Sequence, residues 1–235
     1  MNSCLAVPVA TEGPKPDPMS QYEINDRNKV KRAPQRGNYD KDKVFDFLDA
    51  HFLCHIGFSV EGQPFVIPTA YGREGDTIYI HGATKSRLIL ALREGIPCCL
   101  TVTHIDGLVM ARSIFHHSMN YRSVVVFGTA REIQDEEERM HALKVVSEQI
   151  CPGRWDEVRE PNAKEMKATS VVAITIEQAS AKQRQGPPGD DAEDYDLPIW
   201  AGVIPMKLEN YAPETDPAMK MEVPVSKSVE GYKPN

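Results

Sequence analysis

The chain has 235 residues, of which 41% are hydrophobic and 26% are charged, a balance typical of one soluble domain of about 150 residues with tails. The net charge of −7 argues against coating nucleic acid or an anionic membrane, and no apolar run approaches the ~20 residues that span a bilayer. The N-terminus lacks the basic start of a secretory signal. The five cysteines contain no CxxC pair, which favours reduced thiols in a cytoplasmic protein.

Residues 1–38 carry Pro, Ser, Asn, Lys and Arg with little apolar periodicity, which predicts a mobile N-terminal arm. Its end is basic, from Arg27 to Arg36. A solvated tail and an arm lying on a partner subunit both fit that composition. Apolar residues at helical spacing then predict a first helix over 40–50, with Asp40 as its cap.

From Leu53 the apolar period changes to two, which predicts strands joined by tight turns. Asp106 and Gly107 resemble such a turn, closing the fourth strand. Strands outnumber helices, and helices occur only between groups of strands. We therefore predict a mainly β, α+β fold: an antiparallel Greek-key barrel with peripheral helices. The predicted elements are three strands within 53–82, a helix over 84–94, strands over 97–105 and 120–133, a helix over 135–150 and a strand over 169–177.

The segment after Ser180 has little periodicity, yet it contains the apolar stretch LPIWAGVIP at 197–205. A disordered tail rarely places such residues together, so we expect this stretch to dock on the body or on a neighbouring subunit. The predicted organisation is an arm at 1–38, a barrel domain at 39–180, a docked extension at 181–208 and a disordered tail at 209–235.

A junction between a strand and a helix, HGATKSR at 81–87, is a candidate anion site. Backbone amides at a helix start, together with hydroxyl and cationic side chains, can hold a phosphate. The segment lacks the glycines and the GK[ST] of a P-loop, and it is not GxGxxG. An ordinary capped helix start fits the pattern equally well.

Residues 112–123 concentrate two arginines, two histidines and several hydroxyl and amide groups between two apolar runs. We interpret them as the polar wall of a site for a phosphorylated or anionic molecule. Arg122 could pair with a carboxylate of the fold or with a bound phosphate or ring carbonyl. His116 and His117 would point apart on a strand. No metal-binding spacing and no GxSxG elbow occur, so neither a metal site nor a hydrolase is predicted.

Several sequence blocks within about 25–207 are specific in combination: GQPFVIPTAY, IYIHGATKSRLILAL, DGLVMARS, HSMNYRSVVVFG, PGRW, SAKQRQGPPGDD and LPIWAGVIP. Together they resemble the FMN-binding split-barrel proteins related to pyridoxamine 5′-phosphate oxidase. The resemblance is closer to the branch of nitroimidazole-resistance and flavin-nucleotide-binding proteins. The residues that bind pyridoxal phosphate in the oxidases have no counterpart here, so that substrate is not expected.

The resemblance implies a six-stranded split barrel, a homodimer and one FMN in each of two clefts at the subunit interface. The segment at 84–87 would bind the FMN phosphate, although the oxidase pattern Ser-Arg-Lys is Thr-Lys-Ser-Arg here. The strand at 66–71 would run beside the flavin ring, without the lysine that ends it in the oxidases. The implied cofactor-binding residues are Pro68, Thr69, Tyr71, Thr84, Lys85, Ser86, Arg87, His117, Asn120, Arg122, Ser123 and Trp200.

The resulting hypothesis is an FMN-dependent reductase of a small electron-poor organic molecule, such as a nitroaromatic or a quinone, with NAD(P)H or another compound as electron donor. No catalytic residue is assigned. One alternative is a haem-binding or haem-handling protein on the same barrel, with His55, His81, His104 or His117 as axial ligand. Another is a flavin-binding module without turnover.

Overall fold

The structure is a computed structural model that describes residues 20–233. Within that range the chain forms one sheet of nine strands with helices at its periphery. The strands are β1 Gly37–Asn38, β2 Leu53–Val60, β3 Gln63–Ala70, β4 Gly72–Glu74, β5 Thr77–Ala83, β6 Pro97–Met110, β7 Ser118–Glu132, β8 Thr169–Arg184 and β9 Gly202–Pro205. The helices are α1 Lys41–Asp49, α2 Arg87–Arg93, α3 Glu136–Ile150, α4 Ala163–Ala168 and α5 Lys227–Glu230.

The sheet has the order β3-β2-β6-β7-β8-β5-β4, with β1 added to β8 and β9 added to β6. Every described strand pair is antiparallel, and the sheet is not closed. This confirms the predicted mainly β fold of the split-barrel type. The described sheet has nine strands rather than six. The three additional strands, β1, β4 and β9, have only two to four residues each. Strands of that length are too short for an alternating pattern.

Period-two alternation along the long strands separates two hydrophobic clusters. On β5, Ile78 and Ile80 point into the large cluster inside the barrel, whereas Tyr79 faces the smaller cluster under α3. Asp40 caps α1, as the sequence predicts, and Asp135 caps α3 by accepting a hydrogen bond from the N–H of Glu138 at 2.9 Å. No helix within residues 20–233 is both long enough and apolar enough to cross a bilayer.

The turn predicted at Asp106 and Gly107 is wrong, because these residues form a bulge inside β6. The register with β7 shifts between Ile105 and Gly107, and the strand then continues to Met110. Pairing with β7 on one side and β9 on the other holds Leu108 to Met110 in the sheet. The Asp-Gly dipeptide therefore bends the strand without reversing it.

Residues 20–38 pack against the barrel as a strap, in contrast to the mobile arm predicted from the sequence. Tyr22 is buried in the main core, and its hydroxyl donates to Asp76 at 2.8 Å. Asn28 is buried and donates to the carbonyl of Ala179 at 3.3 Å, and Gly37 pairs with Lys182. Single aromatic and amide anchors of this kind leave no periodic signal. Residues 1–19 of the predicted arm lie outside the described residues.

The end of the chain returns to the barrel at two places. β8 runs to Arg184, past the domain boundary expected at 180. β9 pairs with the last four residues of β6, Gly107 to Met110. The short helix α5 follows in the segment expected to be disordered, and the N–H of Ser228 donates to Glu157 at 3.1 Å. The division of the chain into functional segments stays a prediction.

Candidate functional site

The junction between β5 and α2 presents two cations beside a cavity. Lys85 and Arg87 are exposed, and neither takes part in an ion pair among the described residues. The Arg87 guanidinium lies 4.6 Å from the centre of the Phe65 ring. The adjacent cavity of about 490 Å³ is lined by Ser59, Val60, Glu61, Lys85, Arg87, Leu90, Ala91, Glu94 and Ile96.

The fold itself uses part of this junction. The Ser86 hydroxyl accepts from the N–H of Ile89 at 3.4 Å and caps α2. The N–H of Thr84 donates to the carbonyl of Ala168 at 3.1 Å, and the N–H of Ser86 donates to that of Ala83 at 2.8 Å. Binding of an anion here therefore depends on the side chains of Lys85 and Arg87 more than on backbone amides.

β3 is an edge strand whose outer surface is apolar. Pro68 is exposed opposite His55 of β2, and Val66 on the same face is 68% exposed. Thr69 lies opposite Cys54 and is half-buried. Tyr71, another predicted cofactor ligand, is fully buried in this chain, and its hydroxyl donates to the backbone carbonyl of Leu48 in α1.

The polar residues at the start of β7 are engaged within the fold. Asn120 is buried, accepts a hydrogen bond from Arg184 and donates to the carbonyl of Gly186 at 3.1 Å. The Arg122 guanidinium donates to the Asp106 carboxylate through three contacts of 2.9 to 3.2 Å. Of the two partners considered for Arg122 from the sequence, this is the carboxylate of the fold. Ser123 donates to the carbonyl of Lys182 at 3.4 Å.

Strand register keeps these polar residues away from the cationic junction. Ala83, just before the junction, pairs with Thr169 at the start of β8. Tyr121, beside Asn120 and Arg122, pairs with Arg184 at its end. At about 3.3 Å per residue, the two points are about 50 Å apart along the strand. Within one chain, Lys85 and Arg87 line one cavity and Arg122 lines another.

A second cavity, of about 500 Å³, contains a pair of histidines. The His51 and His104 rings are tilted against each other, with centroids 5.2 Å apart, and Arg122 and Asp106 line the same cavity. Lys207 and Lys233 add positive charge to its lining. Its apolar lining residues are Ala50, Phe52, Ile105, Ile150, Pro152, Met206 and Leu208.

Hydrogen bonds fix the roles of the ring nitrogens in this pair. His51 Nδ1 accepts from the N–H groups of Phe52 at 2.9 Å and Leu53 at 3.2 Å, so it cannot carry a proton. His104 Nε2 lies 2.9 Å from the carbonyl oxygen of Phe47. A carbonyl can only accept, so this nitrogen carries the proton and Nδ1 of His104 keeps its lone pair.

Burial lowers the pKa of both imidazoles, and the neighbouring His104 lowers that of His51 further. Both rings are therefore neutral near pH 7. A neutral histidine that donates one ring N–H to a backbone carbonyl is the form that ligates metals through the other nitrogen. His104 meets that description, whereas His51 offers only an N–H donor at Nε2.

The loop between β6 and β7 is fastened by Asp190. Its side chain is fully enclosed and accepts hydrogen bonds from the N–H of Arg112 at 2.9 Å, the N–H of Ser113 at 3.3 Å and the Arg112 guanidinium at 3.1 Å. Burial opposes ionisation, but the backbone N–H groups and Arg112 lower the pKa of Asp190 below its ordinary value. The loop position thus depends on an ionised carboxylate.

The remaining predicted residues are spread over the surface. His117 is exposed, and Trp200 is 68% exposed with its indole over Gly202, where an added Cβ would lie 2.9 Å from the ring. His116 contacts Asp191 at 3.3 Å in an exposed group of possible ion ligands with Asp194. Of the other proposed haem ligands, His55 is exposed, and Nδ1 of His81 is buried without a hydrogen-bond partner.

Sequence reasoning missed His51, Asp106 and Asp190. His51 and His104 meet from a loop and a strand that are 53 positions apart, so no spacing motif joins them. Asp106 is part of a dipeptide that resembles a turn, and Asp190 is one of an adjacent pair of acids, a pattern that is common on solvated surfaces. The SAKQRQGPPGDD block, which contains Asp190, was the available signal for the last of these.

Comparison with known proteins places the chain among flavin- and haem-binding relatives. The flavocytochrome Anf3 from Azotobacter vinelandii is 42% identical, with a TM-score of 0.84 over 90% of this chain and 98% of that one. The FAD and heme binding protein from Mycobacterium smegmatis is 35% identical, with a TM-score of 0.80 over 83% of this chain and 96% of that one. No curated protein matches the chain.

More distant similarity concerns the fold alone. A protein from Bacteroides thetaiotaomicron, whose name refers to 5-nitroimidazole antibiotic resistance, is 23% identical with a TM-score of 0.53, over 62% of this chain and 85% of that one. The family model described as pyridoxamine 5′-phosphate oxidase matches residues 40–183, from the cap of α1 almost to the end of β8. The chain belongs to the pyridoxamine 5′-phosphate oxidase family.

Proposed function

We propose that this protein is a flavin-dependent oxidoreductase whose flavin phosphate binds at Lys85 and Arg87. The observation that carries the proposal is that both cations line a cavity and form no ion pair within residues 20–233, although Glu61 and Glu94 line the same cavity. Free cations at the end of a strand suit the phosphate of FMN or the pyrophosphate of FAD. The two relatives described above are named for flavin or FAD, which supports the same conclusion.

The residues around the junction fit the rest of a flavin as well. Val66 and Pro68 give β3 an exposed apolar face against which a ring system can pack. When bound, the flavin supplies hydride and single-electron transfer, and the protein orients it and shields it from water. Lys85 and Arg87 would fix its phosphate end.

A second copy of the chain would complete this site. Lys85 and the polar start of β7 lie near opposite ends of β8 within one chain. A homodimer would bring the His117–Ser123 wall of one subunit to the Lys85 side of the other. This arrangement keeps Asn120 and Ser123 as candidate ligands on the second wall.

The proposed reaction is the reduction of a small electron-poor organic molecule, such as a nitroaromatic or a quinone, with electrons from NAD(P)H. The test starts from the absorption spectrum of the purified protein and the mass of its released chromophore. Steady-state assays with nitroaromatic and quinone panels follow. Turnover with any acceptor would support a reductase, whereas a flavin that no donor reduces would leave only a flavin-binding module.

Haem binding is a second candidate function, and the His51–His104 cavity favours it. His104 Nδ1 has a free lone pair, while its other nitrogen is held by the Phe47 carbonyl. Arg122, Lys207 and Lys233 line the cavity and could pair with haem propionates. Haem supplies one-electron chemistry when bound. Of the two relatives compared above, one is named a flavocytochrome and the other a FAD and heme binding protein. A chain with both groups would pass electrons between them.

His104→Ala should abolish haem binding, because it removes the unprotonated ring nitrogen that the His51–His104 pair offers to iron. His51→Ala should weaken haem binding less, since its Nδ1 is committed to backbone donors. His55→Ala, on the exposed outer face, is the control. Titration of the reconstituted proteins followed at the Soret band measures all three. If His51→Ala loses haem binding and His104→Ala retains it, the haem ligand is His51 instead.

A reducing, cytoplasmic location is proposed from the cysteines. Cys54, Cys98, Cys99 and Cys151 are all free thiols in the structure, and the first two are buried. Burial raises the pKa of Cys54 to about 12 and that of Cys98 to about 11, which keeps both thiols protonated and unreactive.

A further inference from the structure

A third pocket lies between the N-terminal strap, α1 and the end of β8. It has a volume of about 250 Å³ and contains the cations Arg36, Lys43 and Lys182. The rest of its lining is neutral: Gln35, Gly37, Asn38, Phe47, Ala181, Gln183 and Gln185. No carboxylate of residues 20–233 lines it, which is unusual for a chain with a net charge of −7.

The cations of this pocket have no counter-ion. None of the ion pairs among residues 20–233 involves Arg36, Lys43 or Lys182. The Lys43 ammonium lies 4.7 Å from the centre of the Phe47 ring, a neutral surface. Like charges gathered without an anion repel each other, so an anionic ligand would stabilise this arrangement.

Arg184 adds a fourth positive charge beside the pocket. Its guanidinium donates only to neutral acceptors, Asn120 Oδ1 and the carbonyls of Gly186 and Pro187. Burial lowers the pKa of Arg184, and the nearby charge of Arg36 lowers it further. The charges of Arg36 and Arg184 are therefore close enough to repel each other.

We propose that Arg36, Lys43 and Lys182 form a binding site for a phosphate group of a nucleotide-like ligand. Two lysines and an arginine, with glutamine and asparagine amides around them, offer only donors or adaptable amides to an oxyanion. The pocket is smaller than the roughly 300–1,000 Å³ of whole small-molecule sites. It therefore fits a phosphate or pyrophosphate, with the remainder of the ligand outside.

This site is separate from the junction proposed for the flavin phosphate. Lys182 lies near the end of β8, whereas the Lys85 junction adjoins Thr169 at its beginning. About 43 Å of strand, at about 3.3 Å per residue, separates these two points. One phosphate group cannot contact both sites in the same chain.

The folded strap builds the site. Arg36 belongs to the described part of the strap, which is anchored by the pairing of Gly37 with Lys182 and by Tyr22 in the core. Lys43 comes from α1, which closely follows the strap, and Lys182 comes from the distant strand β8, so three elements converge on one pocket. An unfolded strap would leave only Lys43 and Lys182.

Binding of inorganic pyrophosphate and ADP to the full-length protein, by isothermal titration calorimetry at fixed ionic strength, tests the proposal. We expect binding to the native protein and at least a tenfold loss of affinity in Arg36→Ala and in Lys182→Ala. Arg32→Ala is the matched control, because it removes an exposed cation of the same strap outside the pocket. Its affinity should stay within twofold of the native value.

Two outcomes would overturn the proposal: no binding of either probe at millimolar concentration, or an equal loss of affinity in Arg32→Ala. Circular dichroism of each variant establishes whether the fold is intact. If Arg36→Ala unfolds the strap, Lys182→Ala still tests the site, because it leaves the backbone pairing of Gly37 with residue 182 in place.

Flavin titrations of the same variants identify the source of the phosphate. If Arg36→Ala weakens binding of FAD but not of FMN, the pocket holds the adenosine half of a bound dinucleotide. If it weakens only pyrophosphate and ADP, the pocket takes a free phosphorylated ligand. Both results support the site. Absence of flavin binding would contradict the proposed function and leave the pyrophosphate result standing.

Discussion

Lys85 is the residue on which the proposed flavin binding at the β5–α2 junction should depend most directly. Replacing Lys85 with Ala removes a charged hydrogen bond to phosphate, which should weaken flavin binding by about 1.5–3 kcal/mol. Arg93→Ala, at the other end of α2 and outside the cavity lining, should leave the affinity unchanged. Quenching of flavin fluorescence during titration measures both variants. Equal affinity in the native and Lys85 proteins would move the phosphate site elsewhere.

The carboxylate of Asp190 should make stability depend on pH. Its pKa is lowered in the folded state, so its contribution is complete above the unfolded pKa of about 3.9 and is lost as pH falls through the folded pKa. Asp190→Asn should therefore be less stable than the native protein at about pH 7, with a difference that shrinks below about pH 4.

Urea unfolding at several pH values measures this difference. Asp196→Asn, an exposed acid of the same segment, is the control and should show no such dependence. A difference in the free energy of unfolding between the native and Asp190→Asn proteins that stays constant down to about pH 2.5 would contradict the role of Asp190. Protonating its carboxylate would then not weaken its hold on the β6–β7 loop.

At the level of single residues, the sequence identified chemical types but not partners. Ser86 and Arg122 each had two interpretations, and the structure uses them as a helix cap and as the partner of Asp106. The choice depends on a bulge that turns Asp106 toward Arg122 across the strand pair. Local pattern cannot reveal a contact set by the register of two strands.

At the level of elements, the register between strands β7 and β8 depends on a close approach at Gly128. The pairing of β7 with β8 shifts between Phe127 and Gly128, and a Cβ at Gly128 would lie 2.1 Å from the backbone oxygen of Thr175. Gly128→Ala should lower the free energy of unfolding by about 1–3 kcal/mol, because the backbone must move to relieve the overlap.

Gly189→Ala is the matched control, since a Cβ there meets nothing within 4 Å. It should change stability by less than about 0.5 kcal/mol. Chemical denaturation of both variants measures the contrast. If Gly128→Ala is as stable as Gly189→Ala, the close approach of β7 and β8 at this bulge is not a constraint on the fold.

Long elements were predictable from periodicity, whereas short ones were not. The helices α1 and α3 and the long strands β2, β5 and β7 follow patterns of 3.6 or 2 over seven residues or more. The strap is anchored by Tyr22 and Asn28 without any repeat. Elements held by a few tertiary contacts remain invisible to a pattern of neighbours in sequence.

Across the whole molecule, the family resemblance anticipated the barrel better than the site. It placed the residues 84–87 and 120–123 on one cofactor, and the structure places them near opposite ends of β8. The two observations agree only if the cofactor lies between two subunits. A single sequence cannot show which residues would come from a partner, so the surface of the proposed dimer must be sought on the structure.

An apolar row on the outer face of the sheet is the candidate for that surface. Ile204 of β9, Leu108 of β6 and Met119 of β7 are aligned by register, and they are 47%, 40% and 46% exposed. Ile114 and Phe115, at the tip of the neighbouring loop, are each 86% exposed. A contiguous exposed apolar patch of this kind marks an interaction surface, here continuous with the polar start of β7.

Met119→Asp should shift the protein from dimer to monomer, because an unpaired carboxylate in an apolar interface is costly to desolvate. Sedimentation velocity should show the dimer constant weakened at least tenfold, while Met221→Asp, an exposed change outside the row, leaves the dimer intact. Flavin affinity should fall together with dimerisation if the cofactor lies in a shared cleft. A monomeric Met119→Asp protein that retains full flavin affinity would show that one chain holds the complete site, and the second wall would then have to be sought among residues nearer Lys85.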